Sequence, residues 1–573
     1  MSLLDEVRPD HAPTRPTPAA GTRGLIGWVC TSNPFYVLSA LLVCLGLWDS
    51  FGVQHGAAQT WALWAGMAGY TLLLAVTACL LVRLVGVWDD VRTVLLLVVL
   101  MFLATSVTFD EVLARSPARG VVCYLAGFAF AVAVSEGMLR GIRLRLPAAF
   151  RVPYYLALAL FFLYPVAITP LLDRPRSEGL SWALFGFSPA AALVFLTLVP
   201  AARRGRGYVQ GNGSPWRWAW YPWALFGVLA FAVGARSALL CWSMHHVPLS
   251  YTEPYIFGFY FLVPFLLAVA VLVLEIGLVE GSRGATRAAI ALPLVMLALS
   301  AVGHRPDPMY QWFLGRFVAR LGGTPLYLTL LASAAFTTYA ALRRVPSATT
   351  ALSLALGALA VVGPGTLGLD DLVAPRPLPI LLVAGLQLGL GVRNRDAWRC
   401  LVGACGLVAT AMIALPGTRA GALPYRGPIA YHLVMVAALG VGAAFDDPVG
   451  RFFRSAGALM GFAACLIVFS GRPGELPAWL TLTYPLALSA SLAVYGLWLG
   501  HEFSCGLAAV ILLSGLATAC YQGYRSLRQV VAGLDTIVAG MTLFALAVLT
   551  SLVKGGVLPW KAAGGGGKAP ARE

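Results

Sequence analysis

The residues able to do chemistry in this chain are few and widely spaced. Arg236 stands alone in a long apolar run, and the stretch that follows (HHVPLSYTEP) supplies His245, His246 and Glu253. An ionisable group within a membrane segment costs several kcal/mol, so such a residue is a functional candidate by default. Arg236 lies about 18 residues beyond Trp218, or ~27 Å at 1.5 Å per residue, which puts it in the outer half of its span. A mixed-charge cluster with Glu253 and the two imidazoles is expected there, either as a closed ion pair or as a guanidinium lining a cavity for an anionic substrate. Adjacent histidines diverge on a helix, so no zinc pair is expected.

Glu275, in VLVLEIGLVEG, is the second candidate. It lies near the inner end of its span, close to Glu280 and within reach of Arg283 and Arg287. Asp110 and Glu111 follow the third apolar run in SVTFDEVLARSPARG, and an outward acidic pair beside arginines matches the base-and-cation chemistry of lipid-linked sugar transferases. Those enzymes place the motif in a long loop after the first span, whereas the first outer loop here covers only residues 54–60. Glu136 precedes Arg140 by one helical turn, a local pair. His432 reads as a packing histidine, and Asp49, Asp535, His501 and Glu502 fall at span ends. Phosphate-loop, HExxH and GxSxG motifs are missing, so ATP-driven pumping and the common hydrolase mechanisms have no support within the chain. The ten cysteines sit mostly in apolar runs without a CxxC pair and read as small core residues; neither a metal nor a cofactor is expected.

The elements that must position these groups are membrane spans. Of 573 residues, 59% are hydrophobic and only 11% charged, which excludes a soluble enzyme. The net charge of +16 comes from basic residues scattered in ones to fours, a topology signal and not a nucleic-acid surface. About eighteen apolar runs (range 16–18) are expected to be helices, because lipid offers no partner to open backbone groups, so the fold class is an all-α polytopic helical bundle. They lie near 35–53, 61–82, 93–109, 120–139, 153–172, 182–202, 218–241, 254–279, 288–303, 325–342, 349–364, 378–392, 398–416, 428–444, 455–470, 478–498, 503–521 and 533–553. Residues 1–33 read as a disordered cytoplasmic tail, 34–345 as an amino-terminal membrane region, 346–553 as a carboxyl-terminal membrane region, and 554–573 as a flexible basic tail. With the amino terminus inside, inner segments hold 26 basic residues and outer loops 13, so both termini are expected in the cytoplasm.

Finer features follow from composition. Trp216, Trp218, Trp220, Tyr221 and Trp223 read as an interfacial aromatic belt. Residues 308–322 and 522–531 carry paired arginines beside aromatic or apolar residues and read as helices lying in the interface. The stretches 361–371 and 388–396 parallel 413–421 and 439–447, with a poorer third copy near 471–474 and 495–502. They suggest helical hairpin repeats of the kind transporters build sites between.

The opening of the first run, Asn33-Pro34-Phe35-Tyr36-Val37-Leu38-Ser39-Ala40, resembles the first span of a loose group of uncharacterised bacterial multi-spanning membrane proteins. The resemblance implies a bacterial inner-membrane address and no particular activity. Many spans, short loops and few internal charges point to a transporter or flippase-like permease. Its expected partners are the bilayer and an anionic small-molecule or lipid-linked substrate, with no nucleic acid and with protein partners undefined. A non-catalytic scaffold or complex subunit and a lipid-linked sugar transferase are the alternatives.

Overall fold

A computed structural model describes residues 34–51, 57–172, 178–216, 218–249, 257–301, 303, 307–414, 426–470, 478–531 and 533–554. Among them every long element is a helix and none is a strand. Fifteen helices are long and apolar enough to cross a bilayer, and three shorter apolar helices (Phe35–Ser50, Ala348–Val361 and Thr483–Leu499) complete a set of eighteen, one on each predicted run. The protein is a multi-pass integral membrane helical bundle.

By internal contacts the chain divides into Met1–Pro379 and Ile380–Glu573. The first unit opens with α1 (Phe35–Phe51), α2 (Ala57–Leu80), α3 (Trp88–Arg115), α4 (Pro117–Gly141) and α5 (Ala148–Leu172). It continues with α6 (Glu178–Leu196), the short α7 (Val199–Arg204) and α8 (Trp220–Leu249). α9 (Val263–Glu280), α10 (Arg283–Ser300), α11 (Pro308–Leu321), α12 (Pro325–Leu342) and α13 (Ala348–Val361) complete it. The deepest helix is α3, which packs against α1, α2, α4, α5 and α8. Its buried residues Val91, Val94, Val98, Phe102, Thr105, Phe109 and Leu113 recur at helical spacing and form the spine of the core. Proline at the first or second position starts α4, α9, α11 and α12, where the missing N–H costs nothing.

The second unit takes up α14 (Pro377–Asn394) from Ile380 onward, then α15 (Ala397–Ala414), α16 (Arg426–Ala444), α17 (Pro448–Ser470), α18 (Ala478–Leu499), α19 (Glu502–Val530) and α20 (Leu534–Lys554). Residues 522–531, expected to lie in the interface as a separate helix, instead prolong α19 without a break to Val530. Helix propensity carries the backbone on after the apolar run has ended. The second proline turn of the expected repeat, at Pro416, lies outside the described residues.

Five turns share one geometry. In each, the residue five positions on donates its N–H back to a helix carbonyl, and the residue just before that donor sits in the left-handed region. The pairs are Leu144 to Leu139 (2.9 Å), Ser282 to Gly277 (2.9 Å), Val345 to Ala340 (3.1 Å), Asp396 to Gly391 (2.8 Å) and His501 to Gly496 (2.8 Å). The left-handed residues are Arg143, Gly281, Arg344, Arg395 and Gly500. This is the helix-ending turn that satisfies orphan carbonyls while reversing the chain. All five fall in segments predicted to be cytoplasmic.

At two of these turns the helices approach too closely for any side chain. A Cβ on Gly391 would lie 2.6 Å from Cys400 Sγ and 2.7 Å from its backbone nitrogen, and one on Gly496 would lie 2.6 Å from Cys505 Sγ. Gly391→Ala is therefore expected to splay the α14–α15 hairpin and cost about 1–3 kcal/mol, as overpacking does. Gly389→Ala, which meets nothing within 4 Å, is the matched control. Thermal midpoints of the purified variants should fall for the first and not for the second.

Candidate functional site

Among its described residues the first unit buries two acidic side chains, Asp110 and Glu275, and in both the partners are remote in sequence. Arg236 on α8 is 0% exposed and Asp110 on α3 is 1% exposed. The guanidinium grips the carboxylate with both arms, Nη1 to Oδ2 at 2.6 Å and Nη2 to Oδ1 at 2.8 Å. Tyr124 on α4 completes the cluster: Arg236 Nη2 donates to its hydroxyl at 3.1 Å, and that hydroxyl donates its one proton to Asp110 Oδ1, with the Ser106 carbonyl oxygen also within reach at 2.9 Å. Phe109 and Phe162 pack edge-on around the tyrosine ring at 5.4 and 6.5 Å between centroids. Gly127 makes room for both, because a Cβ there would meet Phe109 at 2.8 Å and Phe162 at 2.9 Å. Three helices are thus cross-linked in a dry, aromatic shell.

Arg236 is paired with Asp110; Glu253 and the side chains of His245 and His246, with which the sequence placed it, lie outside the described residues. Asp110 was expected just past its span, yet α3 continues to Arg115 and carries it into the interior. With both oxygens engaged, the carboxylate is an ion-pair partner and not a base open to substrate. Its neighbour Glu111 points elsewhere and pairs with Arg115 one turn on.

Glu275, 0% exposed on α9, is the second closed carboxylate. Arg203 at the end of α7 donates from Nε to Oε2 (3.0 Å) and from Nη2 to Oε1 (3.3 Å). Arg343, following α12, donates to Oε2 at 3.0 Å, and the Tyr339 hydroxyl donates to Oε1. These residues, not Arg283 or Arg287 as the sequence suggested, supply the counter-charge.

The open charged site lies elsewhere. A cavity of about 800 Å³ is lined by Glu136, Leu139, Arg140, Arg143, Leu144, Arg145, Leu146, Arg151, Gly211 and Gly213. Its lining holds four guanidiniums and one carboxylate. Glu136 accepts hydrogen bonds from Arg151 and Tyr155 and lies 3.7 Å from Arg140. The expected Glu136–Arg140 pair is thus the longer of two, and Arg151 is the partner that local spacing did not reveal. Among the described residues, no carboxylate pairs with the side chains of Arg143 or Arg145. The backbone beneath them is pinned: Arg145 N–H donates to the Asn212 carbonyl oxygen (2.7 Å), and the Arg145 carbonyl oxygen accepts from the Tyr221 hydroxyl (3.3 Å). On another face of α4, an apolar groove of about 540 Å³ runs along α2 and α4 past Leu72, Val76, Phe130 and Gly137 to Arg83. Arg83 Nε donates to the Gly141 carbonyl oxygen at 2.7 Å, tying α2 to the end of α4.

Other expectations resolve into packing. The Trp216–Trp223 stretch packs on neighbouring helices: Trp216 meets Trp88 at 5.3 Å and Trp223 meets Phe150 at 5.4 Å, while Tyr221 is buried. Sequence spacing alone does not say whether an aromatic faces lipid or a neighbouring helix. α11 buries Tyr310, Phe313 and Phe317, and its Arg316 and Arg320 reach Glu178 at 3.1 and 2.7 Å. His432 bridges Tyr484 Oη and the Pro428 carbonyl oxygen, each at 2.6 Å. Burial, then the nearby Arg454, hold the His501 imidazole below its ordinary pKa. No group of three or more metal-ligating side chains occurs among the described residues. No protein-family model, no curated protein and no solved structure matches the chain.

Proposed function

We propose that this protein is a flippase-like permease of a bacterial inner membrane, which handles an anionic, lipid-borne substrate and loads it at the arginine-lined basin. The observation that carries the reading is the open cavity of about 800 Å³ with four arginines against one glutamate. A low-dielectric wall with one sign of charge concentrates anions. An apolar groove of about 540 Å³, which reaches Arg83 at the same end of α4, suits the chain of an amphiphile.

The test is transport. Full-length protein in phosphatidylcholine liposomes is expected to move a fluorescent anionic lipid between leaflets faster than a zwitterionic one, and Arg143→Gln/Arg145→Gln is expected to remove the difference. Anionic lipid moving no faster than in protein-free vesicles would sink the reading. Orientation has its own check: reporters fused after residues 212 and 248 should report cytoplasm and exterior respectively, with both termini cytoplasmic.

A scaffold or complex subunit is the second reading, favoured by the closure of both buried carboxylates by arginine. A lipid-linked sugar transferase is less well supported, because Asp110 is held by Arg236 at 2.6 and 2.8 Å.

A further inference from the structure

The basin has a more specific character than general anion attraction. Arg143 and Arg145 flank Leu144, which is buried and donates its N–H to Leu139 at 2.9 Å, so the segment between the two arginines is anchored at its middle. Arg145 is held from both sides by Asn212 and Tyr221. Gly213 packs so tightly that a Cβ there would stand 2.4 Å from the Arg143 carbonyl oxygen. Two guanidiniums with no acidic partner among the described residues therefore project from a rigid backbone, and an acceptor bridging them loses little in ordering the protein.

We infer that this basin binds a phosphate carrying close to two negative charges, the monoester or diphosphate head of a lipid; the inference rests on the permease reading given above. Guanidinium forks match phosphate oxygens in bidentate fashion, and a monoester offers three such oxygens at ≈ −1.5 to −2 charge near neutral pH. A diester offers two and a single charge. Arg143 and Arg145 supply the primary contacts, and Arg140 adds a third cation. Glu136 is the built-in competitor: it holds Arg151 and lies 3.7 Å from Arg140. Gly211 contributes a stretch of wall without a side chain, with open space where a Cβ would stand. The groove ending at Arg83 on the same end of α4 argues for a lipid and not free phosphate as the source.

The experiment uses the full chain in phosphatidylcholine nanodiscs and measures retention of phosphatidic acid, a monoester, against phosphatidylglycerol, a diester. A preference for phosphatidic acid of about tenfold is expected, the size of one additional charge-assisted contact. Arg143→Gln/Arg145→Gln should abolish that preference, and Glu136→Gln should tighten binding of phosphatidic acid about threefold by removing the competitor. Thermal midpoints measured alongside show that each variant is folded. Equal retention of the two lipids, a preference surviving the double substitution, or weaker binding in Glu136→Gln would each overturn the inference. Inorganic phosphate displacing phosphatidic acid at equal concentration would overturn the lipid as the ligand. A tenfold preference without leaflet transport would uphold this site while removing the permease reading, and transport of anionic lipid with no preference would do the reverse.

Discussion

Removing one member of the Asp110–Arg236 pair is expected to be among the most damaging single substitutions in the protein. Both groups are essentially unexposed, so Arg236→Gln leaves an uncompensated carboxylate and Asp110→Asn an uncompensated guanidinium, each at about 3–5 kcal/mol. The double variant should be more stable than either single one, because two neutral amides can face each other where a lone charge cannot. Tyr124→Phe removes one hydroxyl from the same cluster and should cost only about 1 kcal/mol. Membrane abundance and thermal midpoint of the purified chain read these differences. Singles that unfold no more easily than Tyr124→Phe would show that the pair does not hold α3, α4 and α8 together. Normal stability with lost transport would move Arg236 from framework to site.

The second large effect is expected at Glu275, and it should be smaller for a reason visible in its partners. The carboxylate is fully buried, but the side chains of Arg203 and Arg343 are 49% and 39% exposed. Once Glu275→Gln removes the charge, both arginines turn to water, so the loss is expected near 1–2 kcal/mol and not at the level of a sealed pair. Arg203→Gln should cost more than Arg343→Gln, since Arg203 donates to both oxygens and Arg343 to one. Thermal unfolding of the three variants in one detergent gives the order directly. An equal loss for Arg203→Gln and Arg343→Gln would mean that the tie is set by packing of α9 and α12 and not by charge.

What the chain by itself determined is its solvent and its elements. A polypeptide with 59% hydrophobic residues in runs of about twenty has no option but internally bonded helices in lipid, and each of the eighteen runs carries one helix. Arg236 and Glu275 were legible as exceptional for the same reason: a charge within an apolar run is visible without any coordinates.

Their partners were not legible. Local reasoning offers the acid nearest in sequence, which for Arg236 was Glu253 and for Glu275 the arginines just beyond its helix. The structure supplies Asp110, 126 positions from Arg236, and Arg203 and Arg343, 72 and 68 positions from Glu275. Nothing in the spacing of one helix encodes which other helix will lie against it, and an end misjudged by six residues moved Asp110 from loop to interior. The basin shows the same division. Arg140, Arg143, Arg145 and Arg151 lie within twelve positions of one another, but a cavity needs a second wall. That wall is the Gly211–Gly213 loop, brought to the segment by the hydrogen bond from Arg145 to Asn212. Composition and periodicity are properties of a strand of sequence, whereas pairing and enclosure belong to surfaces that meet only when the helices pack, and there the tertiary structure alone decided.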